Sequence, residues 1–142
     1  MNAEIIFYII LSLFVFEFLL SKILDYLNTL KWSDKLPEEL EEIYDEVKYK
    51  KSMRYERAKH DFWNLSWIFT FILMYFVLTF WLFWHLDNFI RQYSENQIIL
   101  ALMFFWIIML IQTIISLPFS FYSNFVIEHK FWFNKMSKKT FF

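Results

Sequence analysis

Residues 62–86, FWNLSWIFTFILMYFVLTFWLFWHL, make 25 consecutive positions without a formal charge at neutral pH when His85 is neutral. A hydrocarbon layer about 30 Å thick takes roughly 20 helical residues at about 1.5 Å each, so this run is long enough to cross a bilayer. Lipid offers no hydrogen bonds, and the backbone groups of such a run must pair within the segment, which predicts a helix. Two further runs read the same way. Residues 5–24 are interrupted only by Ser12, Glu17, Ser21 and Lys22, and residues 98–121 have Gln112 as their most polar member. A composition of 58% hydrophobic and 25% aromatic residues exceeds what a soluble core in a chain of 142 residues needs. The expected fold is therefore all-α: one integral membrane domain over residues 1–142, with three transmembrane helices and a charged, helical cytoplasmic loop over 25–61.

Orientation follows from the basic residues. Nine Lys and Arg lie between Ser21 and Asp61 and four after Phe121, against Arg91 alone between the second and third runs and none before the first. The positive-inside rule then predicts a multi-pass protein whose N-terminus is outside or lumenal and whose loop and C-terminal tail are cytoplasmic. The first run lacks a basic leader and a small-residue cleavage site, so it is expected to stay attached. With a net charge of -1 there is no basic excess for a phosphate backbone, which excludes a nucleic-acid partner. The lipid bilayer is the partner that the composition itself names.

The loop is divided by charge. Residues 34–46 hold seven acids and one Lys, and Pro37 followed by EELEEIYDE predicts a short helix with acids in its first turn. Residues 48–59 hold six basic residues and one Glu, with no helix breaker before Phe62, which predicts one long helix running into the second span. Pro118 is expected to bend or end the third helix, because its ring removes a donor and crowds the preceding turn.

The segment after that proline, LPFSFYSNFVIEHKFWFNK at residues 117–135, resembles the signature LPxxxYxxFVIEEKxGFNK of the CaaX prenyl protease 1 (Ste24-like) family of M48 membrane zinc metalloproteases. The loop sequence LPEELEEIYDEVKYKKSMRYERAKHDF is similar to a second pattern of the same family, with Tyr49, Lys51, Ser52, Tyr55 and Lys59 as matching positions. The resemblance implies the amino-terminal membrane domain of a zinc metalloendopeptidase that acts on a prenylated or membrane peptide substrate. It implies a structural role for Leu117, Pro118, Tyr122, Phe125, Glu128, Lys130, Phe133, Asn134 and Lys135, which shape and seal an intramembrane chamber. Glu17, the one acid deep within a span, is costly near a bilayer centre and is expected to face that chamber or a polar partner.

Catalytic residues are not expected in this chain. A zinc site of this family takes two histidines four apart on a helix with a glutamate beside the first, so that two nitrogens hold the metal and the carboxylate activates water. His60, His85 and His129 lie 25 and 44 residues apart instead. The expectation is a chain with no metal, cofactor or catalytic residue of its own, whose zinc and general base come from a downstream protease part. The alternative is a free-standing, non-enzymatic membrane scaffold.

One compositional feature stands apart. At the usual glycine frequency of about 7% a chain of this length would hold about ten, yet there are none beside seven tryptophans. Trp132 occupies the place of the glycine in the family signature and is expected to disturb a turn that glycine permits. Trp63, Trp81, Trp84 and Trp106 raise the same question. Two explanations stand: a codon UGA that stands for glycine, or aromatic residues used as interfacial anchors.

Overall fold

In the computed structural model, which describes residues 2–33, 36, 45–132 and 136–141, every regular element is helical. Helix α1 spans Ala3–Thr29, α2 Glu46–Thr79, α3 Leu82–Ile90 and α4 Gln97–Tyr122. A π-helical segment, Ser123–Glu128, continues α4, and a last turn, α5, covers Lys138–Phe141. The acidic helix expected from Pro37 onward lies outside the described residues.

Local chemistry sets the helix starts. Asp45 accepts a hydrogen bond from the Val47 N–H at 2.9 Å, and Asn96 does the same for the Ile98 N–H at 2.9 Å. Each satisfies one of the donors that a helix N-terminus leaves unpaired. From its cap, α2 runs 34 residues without a break, so the basic stretch and the apolar run are one helix, as its lack of breakers predicts. That helix stops at Thr79, short of Leu86, because Phe80 and Trp81 turn the chain into α3. Among the described residues three helices are long and apolar enough to cross a membrane: Ala3–Thr29, Glu46–Thr79 and the continuous stretch Gln97–Glu128.

Pro118 does not end the third of these. The helix continues through it for another turn and then widens into the π-helical segment. The missing N–H costs one bond to the carbonyl four residues back, and the surrounding turns carry the helix past it, as they do in membrane helices.

Aromatic rings form the seam between α1 and α2. Phe18 stacks on Phe71 at 3.7 Å between centroids and leans on Trp67 at 5.5 Å, while Phe14 meets Phe71 at 4.9 Å. The members lie four residues apart on each helix, a spacing that keeps side chains on one helical face. Descending numbers on α2 match ascending numbers on α1, so the pair is antiparallel. At the far end α3 packs against α4, with Ile90 fully buried and Leu100 nearly so.

Only Ile90, Leu100 and Ile127 are buried apolar residues among those described, while large side chains such as Phe16, Phe105 and Ile114 are mostly exposed. In water such a surface would drive aggregation. In lipid it is the expected face, and association rests on packing and polar contacts rather than on apolar burial.

The seam can be checked by a double-mutant cycle. Phe18→Ala and Phe71→Ala are expected to show a coupling of about 0.5–1.5 kcal/mol in detergent unfolding, the usual worth of an aromatic pair. Phe16→Ala, on the exposed side of α1, should leave the unfolding midpoint within error.

Candidate functional site

Tyr55, Lys59, Phe62, Ser66 and Phe69 recur every three or four residues along α2 and so share one face of it. That face meets the end of α4 and the π-helical segment. Tyr122 stacks on Phe62 at 4.9 Å and 25°, Phe119 lies against Phe62 and Phe69 at 6.2 and 5.2 Å, and Phe131 sets its edge on Tyr55 at 5.4 Å. Lys59 donates to the Tyr55 hydroxyl at 3.3 Å, and the Glu128 carboxylate is near enough for its charge to act on Lys59.

The π turn explains how this face is maintained. Residues four apart drift by about 40° on a regular 3.6-residue helix. A π-helix bonds one residue further along and turns more slowly. Ser123 and Ile127, four apart in that segment, both lie on its inward side, and they are only 5% and 6% exposed. On α2 the buried Ser66 gives its hydroxyl proton to the Phe62 carbonyl at 2.9 Å, so no polar atom is stranded in the junction.

A second polar grouping lies between α1 and α2. His60 Nε2 meets Asp25 Oδ1 at 2.7 Å, with both side chains partly exposed, and Trp32 sets its edge on the imidazole at 4.9 Å. One turn further along, Lys22 donates to Asn64 and lies 4.6 Å over the Trp67 ring. Lys22, Asp25, Trp32, Arg57, His60 and Asn64 line an open cavity of about 590 Å³. Sequence reasoning weighed His60 only as a metal ligand and missed Asp25 altogether. The antiparallel seam carries the signal that could have found the pair, since continuing the Phe14, Phe18 register along α1 brings residues 22 and 25 opposite 64 and 60.

The residues singled out in the sequence divide into groups. Tyr122 and Glu128 enter the α2 junction, together with Tyr55 and Lys59 of the other motif. Phe125 packs instead on Phe121 at 4.7 Å and on Phe141 at 5.5 Å. Leu117, Pro118 and Lys130 are exposed. Phe133, Asn134 and Lys135 lie outside the described residues. Glu17 is exposed on α1 and accepts a hydrogen bond from Ser21 at 3.2 Å within its own helix. Trp132 does not abolish the turn it occupies: the chain takes a positive φ of 70° there, and the Trp132 N–H donates to the His129 carbonyl at 3.2 Å. Among the described residues, no three His, Asp or Glu side chains are grouped to hold a metal ion.

The geometry is that of an all-helical membrane domain whose two sequence motifs converge on one helix–helix junction, and comparison with known proteins assigns its family. Residues 25–142 match the family described as CAAX prenyl protease N-terminal, five membrane helices, and the chain belongs to that family. It is 30% identical over 142 aligned residues to the CAAX prenyl protease 1 homolog of Dictyostelium discoideum, covering 95% of this chain and 33% of that protein. Identity is also 30% over 113 residues to CAAX prenyl protease 1 of Saccharomyces cerevisiae, covering 72% of this chain and 25% of the yeast protein. The Taenia solium homolog is 31% identical over 152 aligned residues, 96% of this chain and 31% of its own length. The chain thus spans about a third or less of the curated relatives it matches. No solved structure matches it.

With no native cysteine in the chain, the junction can be tested by cross-linking. The pair Phe62→Cys and Tyr122→Cys is expected to cross-link in membranes with a short bifunctional thiol reagent. Phe16→Cys paired with Tyr122→Cys should not.

Proposed function

We propose that this domain is the membrane scaffold of a zinc metalloendopeptidase that cleaves prenylated, CaaX-type peptides at the membrane. The observation that carries this reading is the junction itself, in which Tyr55 and Phe62 of one family-like segment meet Phe131 and Tyr122 of the other. Residues 60 to 76 positions apart in sequence are brought onto one face, as expected of a wall that must hold its shape beside a catalytic part.

Zinc does not fit the residues described here. His60 is engaged with Asp25, His85 lies in α3 beside Trp84, and His129 is exposed just past the π-helical segment. In this reading the metal and the general base belong to a protease part outside these 142 residues. Leu117, Pro118, Tyr122, Phe125, Glu128, Lys130, Phe133, Asn134 and Lys135 then serve structure rather than chemistry. Glu17 faces the chamber of the assembled enzyme, which would give its carboxylate the water that lipid denies.

The orientation belongs to the same proposal, with the charged loop and the tail cytoplasmic and the N-terminus outside. Contacts at the two ends of the bundle support it. Phe131 touches Tyr55, so the tail and the basic end of α2 share one side, and Phe7 touches Trp81 at the other. The basic residues of α2 would there meet anionic headgroups.

Expressed alone in membranes, the chain is expected to leave a farnesylated CaaX peptide uncut. The same domain joined to the remainder of its reading frame should cut it in a zinc-dependent manner. Glu128→Gln in that longer protein should lower turnover by up to about a hundredfold, the usual cost of misplacing a reacting group by about an ångström, while bound zinc stays unchanged. Cleavage by the chain alone, or no cleavage by the longer protein, would refute the reading. Cysteines placed at Asp45 and Glu95 report the orientation: only the second should react with an impermeant reagent added from outside.

A further inference from the structure

Among the described residues, two have a positive φ, and both are tryptophan: Trp81 at 55° and Trp132 at 70°. The left-handed region is open to glycine because it lacks Cβ, and it is a true outlier for a bulky side chain. Each of the two also ends a helix. Trp81 follows Phe80, the last residue of the α2 cap, and its N–H donates to the Leu78 carbonyl at 3.3 Å. Trp132 donates to the His129 carbonyl at 3.2 Å after the helical turn through His129 and Lys130. This is the position past a helix C-terminus at which chains ordinarily place glycine.

The indoles do not account for being there. Trp132 is 85% exposed, and Trp81 is 55% exposed with one ring contact, to Phe7 at 5.0 Å. Tryptophan thus fills two glycine conformations in a chain of 142 residues that contains no glycine and seven tryptophans.

We propose that the polypeptide made in its own cells carries glycine at positions 81 and 132, through the codon UGA decoded as glycine. One codon assignment accounts for both left-handed residues and places two glycines in a chain that otherwise has none. In the natural chain the α2–α3 turn then closes without a Cβ, and the Phe7 contact to the residue at 81 is absent.

Peptide mass spectrometry of the protein from its source cells, with the genomic codons, decides the matter. Peptides across 81 and 132 should have the mass of glycine, over UGA codons. Tryptophan in either peptide, or UGG at either codon, overturns the proposal. The physical basis has its own test on the tryptophan-containing chain in detergent. Trp81→Gly and Trp132→Gly should each raise the melting midpoint above that of the matching alanine variant, which removes the indole but keeps Cβ. Alanine variants as stable as the glycine ones would show that neither turn calls for glycine, and would overturn it as well.

Discussion

Every backbone N–H and C=O that lies in hydrocarbon must find its partner within the chain, and that requirement governs this molecule. It makes each apolar run a helix and leaves its lipid-facing side chains free of any need for burial. Between Glu46 and Glu128 it also confines irregular backbone to the α2–α3 turn, the loop before α4 and the π-helical segment. Polar side chains inside the spans are handled in the same way. Ser66 and Thr70 return their hydroxyl protons to carbonyls one turn back, and Thr113 does the same in α4.

Because lipid is as apolar as the side chains, helix association must come from shape and from polar contacts. Membrane helices commonly use small residues for this. This chain uses stacked rings in the α1–α2 seam and in the α2 junction, and between α1 and α2 it sets polar pairs toward one end, where Asp25 meets His60 and Lys22 meets Asn64. Such pairs are partly wet and contribute about 1 kcal/mol at most. Their value is in fixing register, since an aromatic stripe alone could slide.

The π-helical segment shows how one irregularity serves a site. It keeps Ser123 and Ile127 turned toward α2 and delivers Glu128 to the neighbourhood of Lys59. Nothing in the one-letter pattern marks that segment, because a π turn differs from an α turn by one residue per bond and by no particular composition. Pro118, five residues earlier, is the one visible irregularity, and read locally it suggests an end to the helix. The structure carries the helix through.

Sequence by itself determined that three segments are helices of membrane-spanning length, that the basic stretch is continuous with the second of them, and that two family-like motifs lie in one chain. These follow from hydropathy, length and spacing, which are local quantities. Only the tertiary structure decided that the second helix stops at Thr79, that Tyr55 and Phe62 meet Phe131 and Tyr122, that Asp25 pairs with His60, and that Glu17 bonds to Ser21 on its own helix. Each of these depends on the register between helices and on single backbone dihedrals, and a period of 3.6 residues gives the face of one helix without giving its partner.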